Sequence, residues 1–298
     1  MQKLNGQRTP AGPAIDLKRL MLFIAAMALL FLYAPVREYL SWTIESPYYT
    51  HISVIPFVTA YLIYKKRREI FADNSYAPAL GCVIACLGGF GLIAVSMPAL
   101  AQGWGKNDAH ALTAAMTVMI IIGTFIMLFG KRAFRAAGFP MLFLIFMIPL
   151  PTAAEDWVIG TLQSGSAEFV GVLFPITGVP VLRNGTVFQL PGISIEVAPQ
   201  CSGIRSSLAL LITAVLAGHL YLKKNWSRVL LALVVIPVTM FKNAIRIVVL
   251  SLLGLYVNRG YLESSLHRDG GIVFFVLALV LMGPILYLLR RGEESFDT

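Results

Sequence analysis

The sequence predicts an all-α polytopic membrane protein of about eight transmembrane helices, with a small β-hairpin segment and an interfacial amphipathic helix on its outer face. Three observations carry that prediction. Hydrophobic residues make up 57% of the 298 and charged residues only 13%, whereas soluble domains carry about 25% charged residues. The apolar residues are gathered into successive runs of spanning or near-spanning length, and mean hydropathy is +0.76. The net charge of +9 is spread in short basic clusters beside those runs and forms no single stripe, so it reads as a topology signal and excludes a nucleic-acid footprint.

Residues 1–17 are polar and contain Pro and Gly, the composition of a cytoplasmic lead-in. Lys18 and Arg19 precede the first run, Leu20 to Pro35, which reaches span length with its flanks. No small-residue cleavage site follows, so it is read as a retained span. Arg37 to Tyr49 reads as a mixed loop, and His51 to Tyr64 as the second run, closed by Lys65-Lys66-Arg67-Arg68. That block is the strongest cytoplasmic anchor. Ala79 to Leu100 is the third span, rich in the Gly and Ala that let helices approach closely. Cys82 and Cys86 lie in it at i, i+4 and are expected to pack as small hydrophobes. After an outer loop from Trp104 to Ala109, His110 to Gly130 forms the fourth span, ending in Lys131, Arg132 and Arg135, and Gly138 to Pro149 the short core of the fifth.

Residues 152–200 break the pattern. Trp157, Ile159, Leu162, Phe169, Val172 and Leu173 have the spacing of an amphipathic helix lying along the outer interface. Beyond it, Asn184-Gly185 is flanked by β-formers, a hairpin signal, and Pro191-Gly192 marks a second turn. Ile193, Ile195 and Val197 then alternate with Ser194, Glu196 and Ala198 like a third strand. Ser202 to Leu222 is the sixth span, closed by Lys223, Lys224 and Arg228. Val229 to Val257 is the seventh, long and interrupted by Pro237 and by Lys242, Asn243 and Arg246. A polar outer loop from Asn258 to Gly270 holds His267, and Ile272 to Leu289 is the last span, followed by Arg290-Arg291 and an acidic tail, residues 292–298. Eight spans put every basic cluster on one side and both termini inside. With no internal repeat and no separate soluble portion, residues 18–291 read as one transmembrane domain.

That topology brings three reactive side-chain types to one depth. Cys201 lies where the β-like segment meets the start of the sixth span, and a helix N-terminus favours a thiolate. His267 lies just before the eighth span. Arg246 stands 17 residues beyond Val229, roughly 26 Å along a helix at 1.5 Å per residue and so near the outer boundary of a slab about 30 Å thick. A thiol, an imidazole and a guanidinium are the parts of an acyl-transfer site: nucleophile, proton carrier and fixed donor to an oxyanion. Lys242 is the awkward neighbour, one turn before Arg246, and calls for a compensating carboxylate or lipid phosphate, with Glu155, Asp156 and Glu196 as candidates. His51, His110 and His219 are too scattered to read as metal ligands, so neither metal nor cofactor is expected.

The chain resembles the exosortase/archaeosortase family of membrane transpeptidases. The resemblance rests on Gly178 to Gly185, Leu190-Pro-Gly, Gln200-Cys-Ser-Gly-Ile-Arg-Ser, Asn243-Ala-Ile-Arg246-Ile, and His267 followed by Gly270 and Gly271. Weaker echoes at Tyr49-Thr-His51 and from Phe139-Pro140 to Pro149-Leu-Pro151 extend it from about Tyr49 to Leu289. It implies a cysteine protease or transpeptidase of the bacterial cytoplasmic membrane, with its active site facing the periplasm or exterior. Its substrates would be exported proteins ending in a short motif such as Pro-Glu-Pro, a transmembrane helix and a basic tail. By position, Cys201 would be the nucleophile, His267 the general acid/base and Arg246 the oxyanion or substrate stabiliser, with Asn243, Arg205 and Ser202 as substrate contacts. Histidine at 267 fits the bacterial branch, while Gln200 stands where an acidic or small residue is also common.

Two readings of other classes compete. In a transporter, Lys242 and Arg246 would bind an anion near a break at Pro237. In a non-catalytic scaffold for exopolysaccharide export, Cys201 would be dispensable.

Overall fold

The computed structural model describes residues 16–46, 48–72, 77–97, 103–198, 203–257 and 271–296. It is mostly helical, and it divides into two units, Met1–Thr152 and Ala153–Thr298, taken in turn below.

In the first unit Asp16 caps α1 (Leu17–Leu32), its carboxylate accepting the backbone N–H groups of Lys18 and Arg19. Tyr33 then adopts an extended conformation, and α2 (Ala34–Glu45) restarts with proline in its first turn, bent by 73° from α1. The stretch from Arg37 that reads as loop is therefore largely helix. Its buried stripe, Val36, Tyr39 and Thr43, has the 3–4 spacing of one helical face. A short 3₁₀ turn, Thr50–Val54, leads into α3 (Ile55–Lys65) and the single turn α4 (Arg67–Ile70).

Helices α5 (Pro78–Ser96) and α6 (Lys106–Ala136) form the tightest pair of this unit. A side chain at Gly81 would place its Cβ 2.2 Å from the backbone nitrogen of Met127, and one at Gly123 would stand 2.4 Å from that of Ala85. The glycines thus let the two backbones touch, as the small-residue content of the third span predicts. Cys82 and Cys86 do not pack inward. They lie unbridged on the exposed side of α5, sulfur to sulfur 3.8 Å, on the face that in a bilayer meets lipid. At Gly130 the α6 backbone turns to φ 86°, which kinks the helix where the fourth apolar run ends and the Lys131 cluster begins. Phe23, Phe71, Phe125 and Phe129 fill the space near that kink with mostly edge-to-face contacts. Helix α7 (Gly138–Phe143) and a 3₁₀ turn, Leu144–Met147, follow. The Tyr39 hydroxyl donates to the Met147 carbonyl, and Asn107 Nδ2 donates to the Leu150 carbonyl at 2.8 Å.

The second unit opens with α8 (Thr152–Ile176), which buries Leu162, Ser166, Ala167, Val170 and Phe174. This is the amphipathic helix of the sequence: Trp157 and Val172 are exposed, while Leu162 and the small residues Ser166 and Ala167 lie inside. Strands β1 (Leu182–Asn184), β2 (Val187–Leu190) and β3 (Ile193–Glu196) make an antiparallel meander in that order. Asn184 pairs with Val187, so the loop residues are Gly185 and Thr186, one position later than the Asn-Gly pair suggests. Gly185 has φ 62° and is the only loop residue with positive φ, the pattern of a turn with glycine at its first central position. Pro191 and Gly192 (φ 80°) form the second turn with the proline-then-glycine order of type II. The inner faces of α8, the sheet and part of α10 (Asn225–Tyr256) share one core, with Phe174, Phe188, Leu190, Val197, Ala244 and Ile247 in it.

Helices α9 (Ile204–Tyr221), α10 and α11 (Gly271–Phe296) form a second core around Leu210, Leu231, Val235 and Ala278. Pro237 lies inside α10 without ending it, so the predicted interruption is absent and the helix runs through Lys242, Asn243 and Arg246. Helix α11 continues past Leu289 into the acidic tail. There the buried Glu293 carboxylate accepts the backbone N–H groups of Lys223 and Lys224 at 2.7 and 2.9 Å.

Among the described residues five helices, α5, α6, α9, α10 and α11, are long and apolar enough to cross a membrane, and up to seven spans result if each of two bent helix pairs counts as one. The predicted count of about eight agrees roughly. The shortfall lies in the second run, which becomes a 3₁₀ turn and an 11-residue helix. Many apolar side chains of these helices are exposed, among them Phe90, Leu233 and Val280, as expected of surfaces that face hydrocarbon.

Candidate active site

Helices α9 and α10 run antiparallel through the short connection at Leu222 to Lys224. Ile204 to Tyr221 occupies 18 residues, about 27 Å of helix, and the first 18 residues of α10, Asn225 to Lys242, rise by the same amount. The opening of α9 therefore meets α10 at Lys242 and Asn243. Gly203, the residue that opens α9, has φ 74°, and a Cβ built on it would lie 3.3 Å from Asn243 Oδ1 and 3.5 Å from Lys242 Nζ.

The polar groups at this junction are bonded to one another. Lys242 is only 2% exposed, and its ammonium donates to Ser206 Oγ at 2.6 Å. The Ser206 and Ser207 hydroxyls lie 2.9 and 2.8 Å from the Gly203 carbonyl oxygen and donate to it. Asn243 is fully buried, and its Nδ2 donates to Ser166 Oγ on α8 at 3.1 Å. Arg246, half-buried, stands one turn further along α10, its neighbours Ala244, Ile247 and Val248 forming part of the core shared with the sheet. Gln163 of α8 donates through Nε2 to the Val197 carbonyl at 2.6 Å and so holds the chain as it leaves β3. On the sheet's far strand Arg183 makes a two-pronged ion pair with Glu168 of α8, which raises the guanidinium pKa further above its ordinary value.

Of the residues singled out in the sequence, Asn243 and Arg246 come together at this junction. Arg205 is exposed on the first turn of α9. Cys201, Ser202 and His267 lie outside the described residues. Of the carboxylate or lipid phosphate that Lys242 calls for, no carboxylate bonds it among the described residues: its hydrogen bond is to a serine hydroxyl, and Glu196 is exposed on β3. Sequence reasoning also missed Ser166, Gln163 and Ser206. No spacing rule links residues 36 or 77 positions apart, as Ser206 and Ser166 are from Lys242 and Asn243. The one available sign was that polar residues fall on the inward stripe of otherwise apolar helices.

A family model described as Transmembrane exosortase (Exosortase_EpsH) matches residues 41–283. The chain belongs to the transmembrane exosortase family. No curated protein and no solved structure matches it. The exosortase match runs from α2 into α11 and takes in α8, the sheet, the α9–α10 junction and Cys201, Arg246 and His267.

Proposed function

We propose that this exosortase-family chain is a cysteine transpeptidase that removes the C-terminal sorting signal of exported proteins at the outer face of the bacterial cytoplasmic membrane. The observation that supports this reading most is the α9–α10 junction: Gly203, two residues after Cys201, packs against Lys242 and Asn243, one turn from Arg246. The Arg246 guanidinium supplies fixed N–H donors where an oxyanion would develop. The uninterrupted path of α10 through Pro237 removes the break on which the transporter reading relied.

In the proposed reaction the Cys201 thiolate adds to the carbonyl carbon of the scissile peptide, and the carbonyl oxygen takes up the negative charge beside Arg246. The adduct collapses with cleavage of the C–N bond, and His267 gives its proton to the departing amine. A thioester remains. An amine or water then attacks it, His267 takes the attacker's proton, and the C–S bond breaks to regenerate the thiolate. The substrate's spanning helix enters from the lipid while its basic tail stays on the cytoplasmic side, which holds the scissile peptide at the opposite interface. Asn243, Arg205 and Ser202 are the proposed substrate contacts, and no cofactor enters any step.

The test is a tagged substrate carrying such a C-terminal signal, co-expressed or co-reconstituted with the protein. With Cys201→Ala or Cys201→Ser at unchanged protein level, release of the C-terminal peptide is expected to stop. Continued release excludes the nucleophile role and with it the enzyme assignment.

A further inference from the structure

We propose that Lys242 is a positioning residue that fixes the opening turn of α9 through Ser206 and Gly203, and thereby the approach of the nucleophile two residues upstream. The inference rests on the reading of Cys201 as that nucleophile. Lysine has three N–H donors and no acceptor. Its 2.6 Å bond to Ser206 therefore obliges the serine oxygen to accept, which directs the serine's own proton to the Gly203 carbonyl at 2.9 Å. Ser207 adds two more donors to that carbonyl, its hydroxyl at 2.8 Å and its backbone N–H at 3.0 Å. One carbonyl at the cap of the helix thus receives three donors, and the orientation of one of them is dictated by an ammonium on the neighbouring helix.

The rest of the junction leaves little freedom to that turn. Gly203 is in the left-handed region, a conformation that the residue type permits but does not favour over others, so the surroundings must select it. Asn243 and Lys242 close the space beside its Cα, and Asn243 is itself tied to Ser166. Lys242 occupies this place at a cost. It is buried on an apolar helix with like-charged Arg246 one turn away, and among the described residues no carboxylate bonds it. An ionisable residue kept at such depth marks a functional site by default, and a hydrogen-bonded chain from it to the residue that opens α9 gives it a defined task.

The inference predicts an effect on turnover and not on substrate affinity. In protein reconstituted in liposomes, Lys242→Met and Ser206→Ala are each expected to lower kcat by about tenfold to a hundredfold with KM near its original value, as small displacements of a reacting group do. The double variant should be little worse than either single one, because both break the same chain. Ser206→Thr keeps the hydroxyl and should recover most of the loss. Alkylation of Cys201 by a maleimide, in a Cys82→Ala, Cys86→Ala background, should slow in parallel with turnover, whereas a general loosening of the fold would expose the thiol and speed it. If Lys242→Met fails to accumulate, the Ser206→Ala and Ser206→Thr pair decides alone. Unchanged kcat in Ser206→Ala overturns the proposal, as does a rise in KM alone, which would make Lys242 a direct substrate contact. The underlying reading fails separately, if Cys201→Ala still releases peptide.

Discussion

Replacing Gly203 by alanine tests the junction most directly, because the structure supplies its own control. Gly203 and Gly178 have nearly the same left-handed backbone, φ 74° and 72°. An alanine in that region costs about 1–2 kcal/mol relative to a glycine. At Gly178 nothing lies within 4 Å of the added methyl, so Gly178→Ala should show that cost alone. At Gly203 the methyl would meet Asn243 Oδ1 at 3.3 Å and Lys242 Nζ at 3.5 Å, two groups that are themselves buried and bonded. Relieving the contact moves either the side chains or the turn by a few tenths of an ångström, at about 1 kcal/mol more by the cost of overpacking. Unfolding in mild detergent titrated with a denaturing one, followed by tryptophan fluorescence, should therefore rank Gly203→Ala slightly below Gly178→Ala and both below the parent. Peptide release should separate them far more, falling about tenfold or further in Gly203→Ala and staying near the parent rate in Gly178→Ala. Equal release by the two variants would refute the claim that the geometry of this turn matters to the reaction.

Arg246→Lys keeps the charge but loses the planar fork, and release is expected to fall at least about tenfold with the protein still accumulating; parent-like release would remove Arg246 from the chemistry. Glu293→Gln leaves one of the two backbone N–H groups of Lys223 and Lys224 facing an amide NH₂, and should cost about 1–3 kcal/mol in the same unfolding assay. Because Glu293 sits at the other end of α9 from Gly203, kcat should not change. Gly81→Ala forces a methyl to within 2.2 Å of the Met127 backbone and should destabilise by about 1–3 kcal/mol or more, whereas Gly89→Ala, with nothing within 4 Å, should be neutral or slightly stabilising.

The elements that the sequence announces most clearly are those whose signal is local. The apolar runs give α5, α6, α9, α10 and α11, and the alternation at Ile193, Ile195 and Val197 gives β3 with its inward face correct. The hairpin was legible to within one residue. The slip at Asn184 arises because a single left-handed glycine, placed first in the loop, satisfies the turn without using the asparagine. Helix α2 was missed because Arg37, Glu38 and Ser41 interrupt its hydropathy, although Val36, Tyr39 and Thr43 carry the helical spacing in retrospect. On α8 the amphipathic spacing marks the helix but not which of its residues turn inward: Leu162, Val170 and Phe174 are buried together with Ser166 and Ala167, while Trp157 and Val172 are exposed. At the candidate site, the part read from sequence, Asn243 with Arg246, needs only one helix. The part that was not, Lys242 to Ser206 and Asn243 to Ser166, is made between helices, where only coordinates can pair the residues.

The two ends of the α9–α10 pair treat charge in opposite ways, and helix length is what separates them. At the end where the chain turns from α9 to α10, Lys223, Lys224 and Arg228 gather with Arg290 nearby, and the turn is held by the Glu293 carboxylate, the arrangement that positive-inside bias leads one to expect. About 27 Å away, at the rise of 18 helical residues, Lys242 is buried against hydroxyls and a glycine, with Arg246 beyond it and no acid bonded to Lys242 among the described residues. A cluster needed only for orientation belongs at the first end, where water and headgroups solvate it. A cation at the second end is costly to keep, and the Gly203 turn, Ser206 and the buried Asn243 are gathered beside Lys242. The matching of the two helix lengths is what brings the opening of α9 to that place. Inserting one residue in α10 between Asn225 and Lys242 would rotate Lys242 by about 100° away from Ser206 while leaving the hydropathy of the span intact. That change is therefore expected to abolish peptide release in a protein that still inserts.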